Sequence, residues 1–430
     1  MAQDMITSLF LKKHHILYKI TRKNRMNLFK DLGLSEELFS VIEGLKFTKP
    51  TEIQEKSIPH ILKGKDVIGE SSTGSGKTLA FGCGIVENTN KGEGLQSLVL
   101  TPTRELAEQV KESIKQMSHN KHLRLLSIYG GVAIHPQIEK LRTADVVVAT
   151  PGRLLDHLQR RTIDLSKIKI LVLDEADRML DMGFIDDVEK IIRLCPNERQ
   201  TLFFSATISQ EIRDLSKRYL KDPVRISAVQ YVDPSKLKQT YYDISRNQKL
   251  SLLIHLLKHE SVEQSMIFCN TRRTTDFVEK NLKLNGIKAI ALHGGLSQNK
   301  RTNTIRAFDE RKFSVLICTD VASRGLHIDN ISHIYNYEIP RSAKDYVHRI
   351  GRTARAGEEG DAINLLCDLD YGNFSKVQQD YPDFDIQNVE TPNLDSVKVA
   401  QTNRGGQPNR GRHHQRRQPF KRRQSSRNWN

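Results

Sequence analysis

The sequence has little of what builds disulfide scaffolds, zinc modules or membrane spans. Of 430 residues only five are cysteine: Cys83, Cys195, Cys269, Cys318 and Cys367. They stand singly, without a Cys-x-x-Cys pair, which argues against a zinc site and against a disulfide framework. A reducing, cytoplasmic setting is the expectation. There is no run of 18 apolar residues, so no membrane-spanning helix is expected. The N-terminus carries no sustained apolar run ahead of a small-residue cleavage site, so no secretory signal is expected either. Acidic residues are missing from Ala400 to Asn430, where eight arginines and one lysine stand.

The length implies two domains with tails, and 37% hydrophobic with 27% charged residues implies a soluble globular chain. The net charge of +16 points to a polyanionic partner. Most of it sits at the ends. The last 31 residues carry +9, and residues 1–25 hold Lys12, Lys13, Lys19, Arg22, Lys23 and Arg25 against Asp4. Arg-Gly spacing at Arg404, Gly405, Arg410 and Gly411, with Phe420 and Trp429 interleaved, predicts a disordered nucleic-acid-binding tail over 384–430. Either Met1 or Met26 can begin translation; residues 1–26 read as a basic extension.

The middle alternates short β-branched runs with helical stretches, which predicts an α/β fold of parallel βαβ units. Strands are predicted at Asp66–Gly69, Ser97–Leu100, Leu125–Tyr129, Val146–Ala149, Ile170–Leu173 and Thr201–Phe204. A linker is predicted over 229–238, around Asp233 and Pro234. The rhythm then restarts at Ser265–Cys269, Ala289–Leu292, Val315–Cys318, His333–Tyr337 and Ala362–Leu366, giving a second α/β domain over 239–383.

Between the first strand and a helix lie Ser71, Ser72, Thr73, Gly74, Ser75, Gly76, Lys77 and Thr78. Glycines at 74 and 76 let backbone N–H groups turn toward phosphate oxygens, and the helix N-terminus adds its dipole. Lys77 is expected on the β- and γ-phosphates and the Thr78 hydroxyl on Mg²⁺. The strand at 170–173 ends in Asp174, Glu175, Ala176 and Asp177. Asp174 is expected to hold the metal and Glu175 to orient or deprotonate the attacking water. Asp177 also suits a helix N-cap.

With these two elements, the chain resembles a DEAD-box RNA helicase of superfamily 2 from about Phe29 to about residue 380. Phe47 to Gln54 resembles a Q motif, in a region spanning 27–55. Pro102 to Ala107, Gly130 with Gly131, Thr150 to Arg153 and Ser205 to Thr207 follow in family order. So do Ile267 to Thr271, His293 to Gly295, Gln298 with Arg301, Thr319 to Gly325 and His348 to Arg355. The resemblance implies two tandem RecA-like domains, an ATP-binding domain over 56–228 and a helicase C-terminal domain over 239–383.

It also implies roles. Gln54 reads adenine by a two-way amide hydrogen bond, and Phe29 or Phe47 lies against the ring. Gly325 and position 327 approach the nucleotide. Arg349 and Arg352 act as arginine fingers from the second domain. Asp177, Ser205, Thr207, Asp320, Arg324 and His348 couple the nucleotide to the nucleic acid. RNA contacts fall on Pro102, Thr103, Arg104, Gly130, Gly131, Thr150, Pro151, Gly152 and Arg153 in the first domain. In the second they fall on Thr271, Arg272, His293, Gly294, Gly295, Arg301 and Thr319. Many of these positions follow strand ends, where glycines, hydroxyls and helix N-termini suit a phosphate backbone and read no base.

Three positions depart from the common pattern: Ser71 for Ala, Ala354 for Gly, and His327 where a ribose-contacting Asp is usual. His327 is expected to weaken nucleotide binding, because a carboxylate acceptor is lost. The expected activity is an RNA-dependent ATPase that pries apart short duplexes by closing two domains on one strand. An RNA chaperone dominated by the basic tail is the other-class alternative, and a DNA helicase of the same superfamily a third. The expected cofactors are ATP and Mg²⁺. The expected partner is RNA, within ribosomal or mRNA-decay complexes, with the chain a monomer.

Overall fold

The computed structural model describes residues 28–72, 74–228, 237–260, 263–323, 328, 331–354 and 359–400. The expected basic N-terminal extension, residues 401–430 of the expected basic tail, and Thr73, Arg324, Gly325, His327 and Arg355 lie outside the described residues. The first sheet has seven parallel strands. These are β1 (Val67–Ser71), β2 (Ser97–Leu100), β3 (Leu125–Ile128), β4 (Val146–Ala149), β5 (Ile170–Asp174), β6 (Gln200–Ser205) and β7 (Val224–Ala228). Their spatial order is β3-β4-β2-β5-β6-β1-β7.

The second sheet also has seven parallel strands. These are β8 (Leu237–Asp243), β9 (Ser265–Phe268), β10 (Ala289–Leu292), β11 (Val315–Cys318), β12 (His333–Asn336), β13 (Gly360–Leu366) and β14 (Ile386–Asn388). Their order is β10-β11-β9-β12-β13-β8-β14. It is the first order with every number raised by seven, so one topology occurs twice.

Successive side chains of a strand point to opposite faces, and helices cover both. Val99, Val146, Val148, Ile170, Val172, Leu202 and Phe204 pack on one face of the first sheet. Leu98, Leu100, Val147, Ala149, Leu171, Leu173 and Phe203 pack on the other. Burial on both faces explains why these strands read as unbroken apolar runs. All five cysteines are free and buried. Among the described residues no helix is long and apolar enough to cross a membrane.

Two boundaries are corrected. The linker expected over 229–238 is shorter, because β8 already begins at Leu237 and pairs with β13. The second domain does not end at residue 383. β14 pairs with β8, and Leu394 and Val397 pack on the second core. The segment through Ala400 is therefore part of this domain.

Candidate nucleotide and nucleic-acid site

The loop after β1 turns into the helix Lys77–Asn88, whose N-cap, Gly76, is left-handed at φ 89°. A Cβ at Gly76 would lie 2.1 Å from Nε2 of Gln54, so the loop requires glycine there. Gln54 and Thr51 hold this loop. Gln54 Nε2 donates to the Gly76 carbonyl at 3.0 Å, and its Oε1 accepts from the Thr51 N–H at 2.9 Å. The Thr51 hydroxyl donates to the Ser75 carbonyl at 2.7 Å. Ser71 and Ser75 share a hydroxyl hydrogen bond of 2.8 Å. Gly74 is also left-handed, at φ 87°. The Lys77 ammonium donates to the carbonyls of Ser71 and Ser72, at 2.6 and 2.9 Å. Burial lowers its pKa, and Asp174, Glu175 and Asp177 counteract that. Thr78 follows in the first turn of the same helix. Of the two candidate adenine neighbours, Phe29 is 1% exposed and part of the core, whereas Phe47 is 43% exposed. In this arrangement Phe47 is the one that offers a ring face to a ligand.

The carboxylates sit at the end of β5. Burial, and then Glu175, push the Asp174 carboxyl up to about 7, against the pull of Lys77. Its Oδ1 is buried without a hydrogen-bond partner. An oxygen left over in this way fits a hard cation, which would restore the ionised form. Glu175 caps the helix Ala176–Asp181 from a left-handed conformation, φ 54° and ψ 50°. A non-glycine residue held there is strained by about 1–3 kcal/mol and marks a site under geometric demand. Its carboxylate accepts from Arg178 Nη1 at 2.9 Å, and both side chains are buried.

Asp177 ties this box to the end of β6. Its Oδ2 accepts from the Thr207 N–H at 3.1 Å and the Thr207 hydroxyl at 3.0 Å. Its own N–H donates to Ser205 Oγ at 3.1 Å, and that hydroxyl donates to the Thr207 carbonyl at 2.8 Å. Burial works to raise the Asp177 pKa, but Lys344, Ser205, Arg178 and His348 outweigh it and hold it low. Lys344 and His348 belong to the second domain, on the helix Ala343–Ile350. Lys344 also pairs with Asp181 across the cleft at 3.1 Å. Burial and Arg178 push His348 down to about 3.

Arg349 differs from the expectation of a free arginine finger. It is 1% exposed and donates from all three nitrogens within its own domain. Nε and Nη2 fork onto Asp320 at 2.6 and 2.7 Å. Nη1 reaches Asn336 Oδ1 and the Glu338 carbonyl, and Nη2 also reaches Asn270 Oδ1. With its five N–H groups matched by five bonds, Arg349 is in this arrangement a positioning residue for the ends of β9, β11 and β12. Arg352, three residues on, is buried as well.

The expected nucleic-acid contacts gather around helix N-termini after strand ends. Thr103 caps Arg104–Met117 by accepting from the Leu106 N–H, and Thr271 caps Arg272–Leu284 by accepting from the Thr274 N–H. Thr150 precedes Pro151–Gln159, with Pro151 and Gly152 in its first turn. Pro102 stands between β2 and Thr103. Arg104 lies across Gly130 and Gly131, and Arg272 across Gly294 and Gly295. A Cβ at Gly131, left-handed at φ 80°, would come 2.1 Å from Arg104 Nη1. Arg153 donates to the Val132 carbonyl and to Gln137. His293 Nε2 faces Asp276 at 2.8 Å, and the Gly295 N–H donates to its Nδ1 at 3.1 Å. Thr319 is buried at the start of the helix Asp320–Ser323.

Three cross-domain hydrogen bonds join these two faces. Arg301 Nε donates to Glu105 Oε1 at 2.8 Å, Gln298 Nε2 to the same oxygen at 3.2 Å, and Arg104 Nη1 to Gln298 Oε1 at 3.2 Å. Arg178, Glu105, Asp181 and Lys344 were not among the residues expected to act. Arg178 and Glu105 lie in or beside motifs that are recognisable in the sequence. For Asp181 and Lys344, more than 160 residues apart, the sequence holds no signal.

A DEAD/DEAH box helicase domain matches residues 51–215, and a helicase conserved C-terminal domain matches residues 248–357. The chain belongs to the DEAD-box helicases. Among its relatives is the ATP-dependent RNA helicase CshA of Listeria monocytogenes, 41% identical over 380 residues, which are 87% of this chain and 73% of that protein. Among solved structures, Dbp5 of S. cerevisiae bound to RNA and ADP BeF3 matches with a TM-score of 0.75 at 33% identity, covering 84% of this chain and 95% of that one. A DEAD box protein from Methanococcus jannaschii is 40% identical, covers 84% and 98%, and reaches 0.53.

Proposed function

We propose that this chain is an ATP-driven RNA helicase that remodels short duplexes by closing its two domains on one strand. The observation that carries the reading is the continuous path across the cleft. Lys77 and Asp174 share one buried field. Asp177 is bonded to Thr207, and His348 and Lys344 of the second domain face Asp177. A nucleotide phosphate would take Lys77 from the carbonyls of Ser71 and Ser72. Glu175 is held at the same lip by Arg178, placed to orient a water. Because half of this path belongs to the second domain, hydrolysis depends on closure.

The Mg²⁺ that accompanies ATP fits Asp174 and Thr78: one buried oxygen lacks a partner and a hydroxyl stands in the adjoining turn. When bound, it would neutralise charge on the transferred phosphoryl group. Gln54 fixes the loop that cradles the phosphates; its second amide N–H and the second lone pair of its oxygen are what it would offer the adenine edge. Strand binding would rest on paired helix N-termini and on arginines lying over glycines, which reads backbone rather than sequence. A cytoplasmic monomer serving ribosomal or mRNA-decay complexes is the proposed setting.

Glu175→Gln tests the reading. RNA-stimulated hydrolysis should fall by about 10²-fold or more, with ATP and RNA binding retained. Hydrolysis at the native rate would show the catalytic assignment to be wrong.

A further inference from the structure

Far in sequence from the motifs, the segment after β14 runs back over the second domain. The Val389 N–H donates to the Tyr241 carbonyl at 2.9 Å. Leu394 and Val397 pack on the core. Lys398 and Asn285 exchange two hydrogen bonds, of 3.1 and 2.8 Å, and the Ala400 N–H donates to Asn281 at 2.7 Å. Asp395 lies between these anchors and is itself exposed. It meets the helix Lys249–His259, where His255 and His259, four residues apart, share one face. Their rings lie 4.4 Å apart, centroid to centroid. One ligand atom from each of His255, His259 and Asp395 lies within 4.8 Å of the other two. His255 Nδ1 is buried without a hydrogen-bond partner.

We propose that His255, His259 and Asp395 bind a divalent transition ion of the Zn²⁺ class, which clips the segment 389–400 to the second domain. Two imidazole nitrogens and one carboxylate oxygen, with water as a fourth ligand, form a set that such ions accept. Mg²⁺ and Ca²⁺ prefer all-oxygen sites, so the cation that travels with ATP does not compete. Zinc–nitrogen bonds of about 2.0–2.1 Å require tetrahedral ligand spacings of about 3.4 Å. His259 and Asp395 therefore move inward on binding, which their exposure permits. The anchors on either side of Asp395 remain in place. The site joins a helix to a segment more than 130 residues away in sequence, so an ion there cross-links the segment 389–400 to the domain. The basic residues from Arg404 onward then depart from a fixed point.

Full-length protein, stripped with a chelator and kept free of nucleotide, is titrated with Zn²⁺ by calorimetry. Wild type should bind one equivalent that His255→Ala, His259→Ala and Asp395→Ala each weaken by more than about tenfold, the loss that outer-shell partners alone can cause. Hydrogen exchange over 389–400 should slow with Zn²⁺ in wild type and stay unchanged in His259→Ala. Retained RNA-stimulated ATPase in His259→Ala and Asp395→Ala, both surface changes, confirms folded protein. Equal affinity in wild type and the variants would overturn the site. Bound metal with unaltered exchange over 389–400 would overturn the clip.

Discussion

Arg301 reaches across the cleft to Glu105, with 2.8 Å between Nε and Oε1 and side-chain exposures of 11% and 9%. The pair joins the helix Gln298–Asp309 of the second domain to the helix Arg104–Met117 of the first. An ion pair so screened from water matters mainly through what its loss leaves behind.

Arg301→Ala should leave the buried Glu105 without a cationic partner when the domains close, held only by the neutral Gln298 amide, at a cost of about 2–5 kcal/mol. The RNA concentration for half-maximal ATPase stimulation should rise more than about tenfold, with ATP binding to the first domain unchanged. Interdomain fluorescence transfer on adding RNA and a nucleotide analogue would report the lost closure directly.

Gly131→Ala tests the nucleic-acid face without touching the nucleotide loop. The left-handed φ alone costs a side chain about 1–2 kcal/mol, and the methyl group displaces the Arg104 guanidinium. RNA affinity should drop severalfold in fluorescence anisotropy, while the affinity for a fluorescent ATP analogue holds.

Closure should weaken in acid through His348. A free histidine takes up a proton near pH 6.5, whereas His348 in the closed cleft does so only near pH 3. Arg178, Lys344 and Arg352 oppose the proton and Asp177 favours it. Below about pH 6.5 the opened state binds a proton that the closed state refuses, so closure loses up to about 1.4 kcal/mol per pH unit. Above that pH the contribution is flat. Asp177 is held below the usual carboxylate range, so its share is kept until lower pH. Fluorescence transfer between the domains, followed from pH 7.5 to 5.5, should decline in wild type and flatten in His348→Gln.

His327→Asp should restore a carboxylate acceptor for a ribose hydroxyl. The ATP KM measured in saturating RNA should fall; an unchanged KM would show that the imidazole serves as well.

How far all this was legible follows from burial. Ser97–Leu100, Val146–Ala149, Ala289–Leu292 and Val315–Cys318 coincide with β2, β4, β10 and β11, because strands covered on both faces announce themselves as apolar runs. β7, β8 and β14 were missed. Exposed or half-buried positions interrupt each of them, so polar residues break the signal. The phosphate loop and the carboxylate box were legible because each is one short segment whose chemistry needs neighbours in sequence. The confinement of Arg349 was not. Its partners Asn270, Asp320, Asn336 and Glu338 come from three separate strand ends, and only the sheet order brings them together.

The repeated strand order has a consequence for how such a chain can lengthen. β7 and β14 occupy the same outer berth, beside β1 and β8 respectively, and each is the last strand of its unit. The polypeptide therefore leaves both sheets through one equivalent port, and in the second unit it then packs over the domain through Ala400. At the first exit it leads into a second copy of the fold; at the other it leads toward the arginine-rich terminus. New sequence can be appended at that port while both sheets and the cleft between them stay intact, so accessory segments can change freely as the motor stays the same.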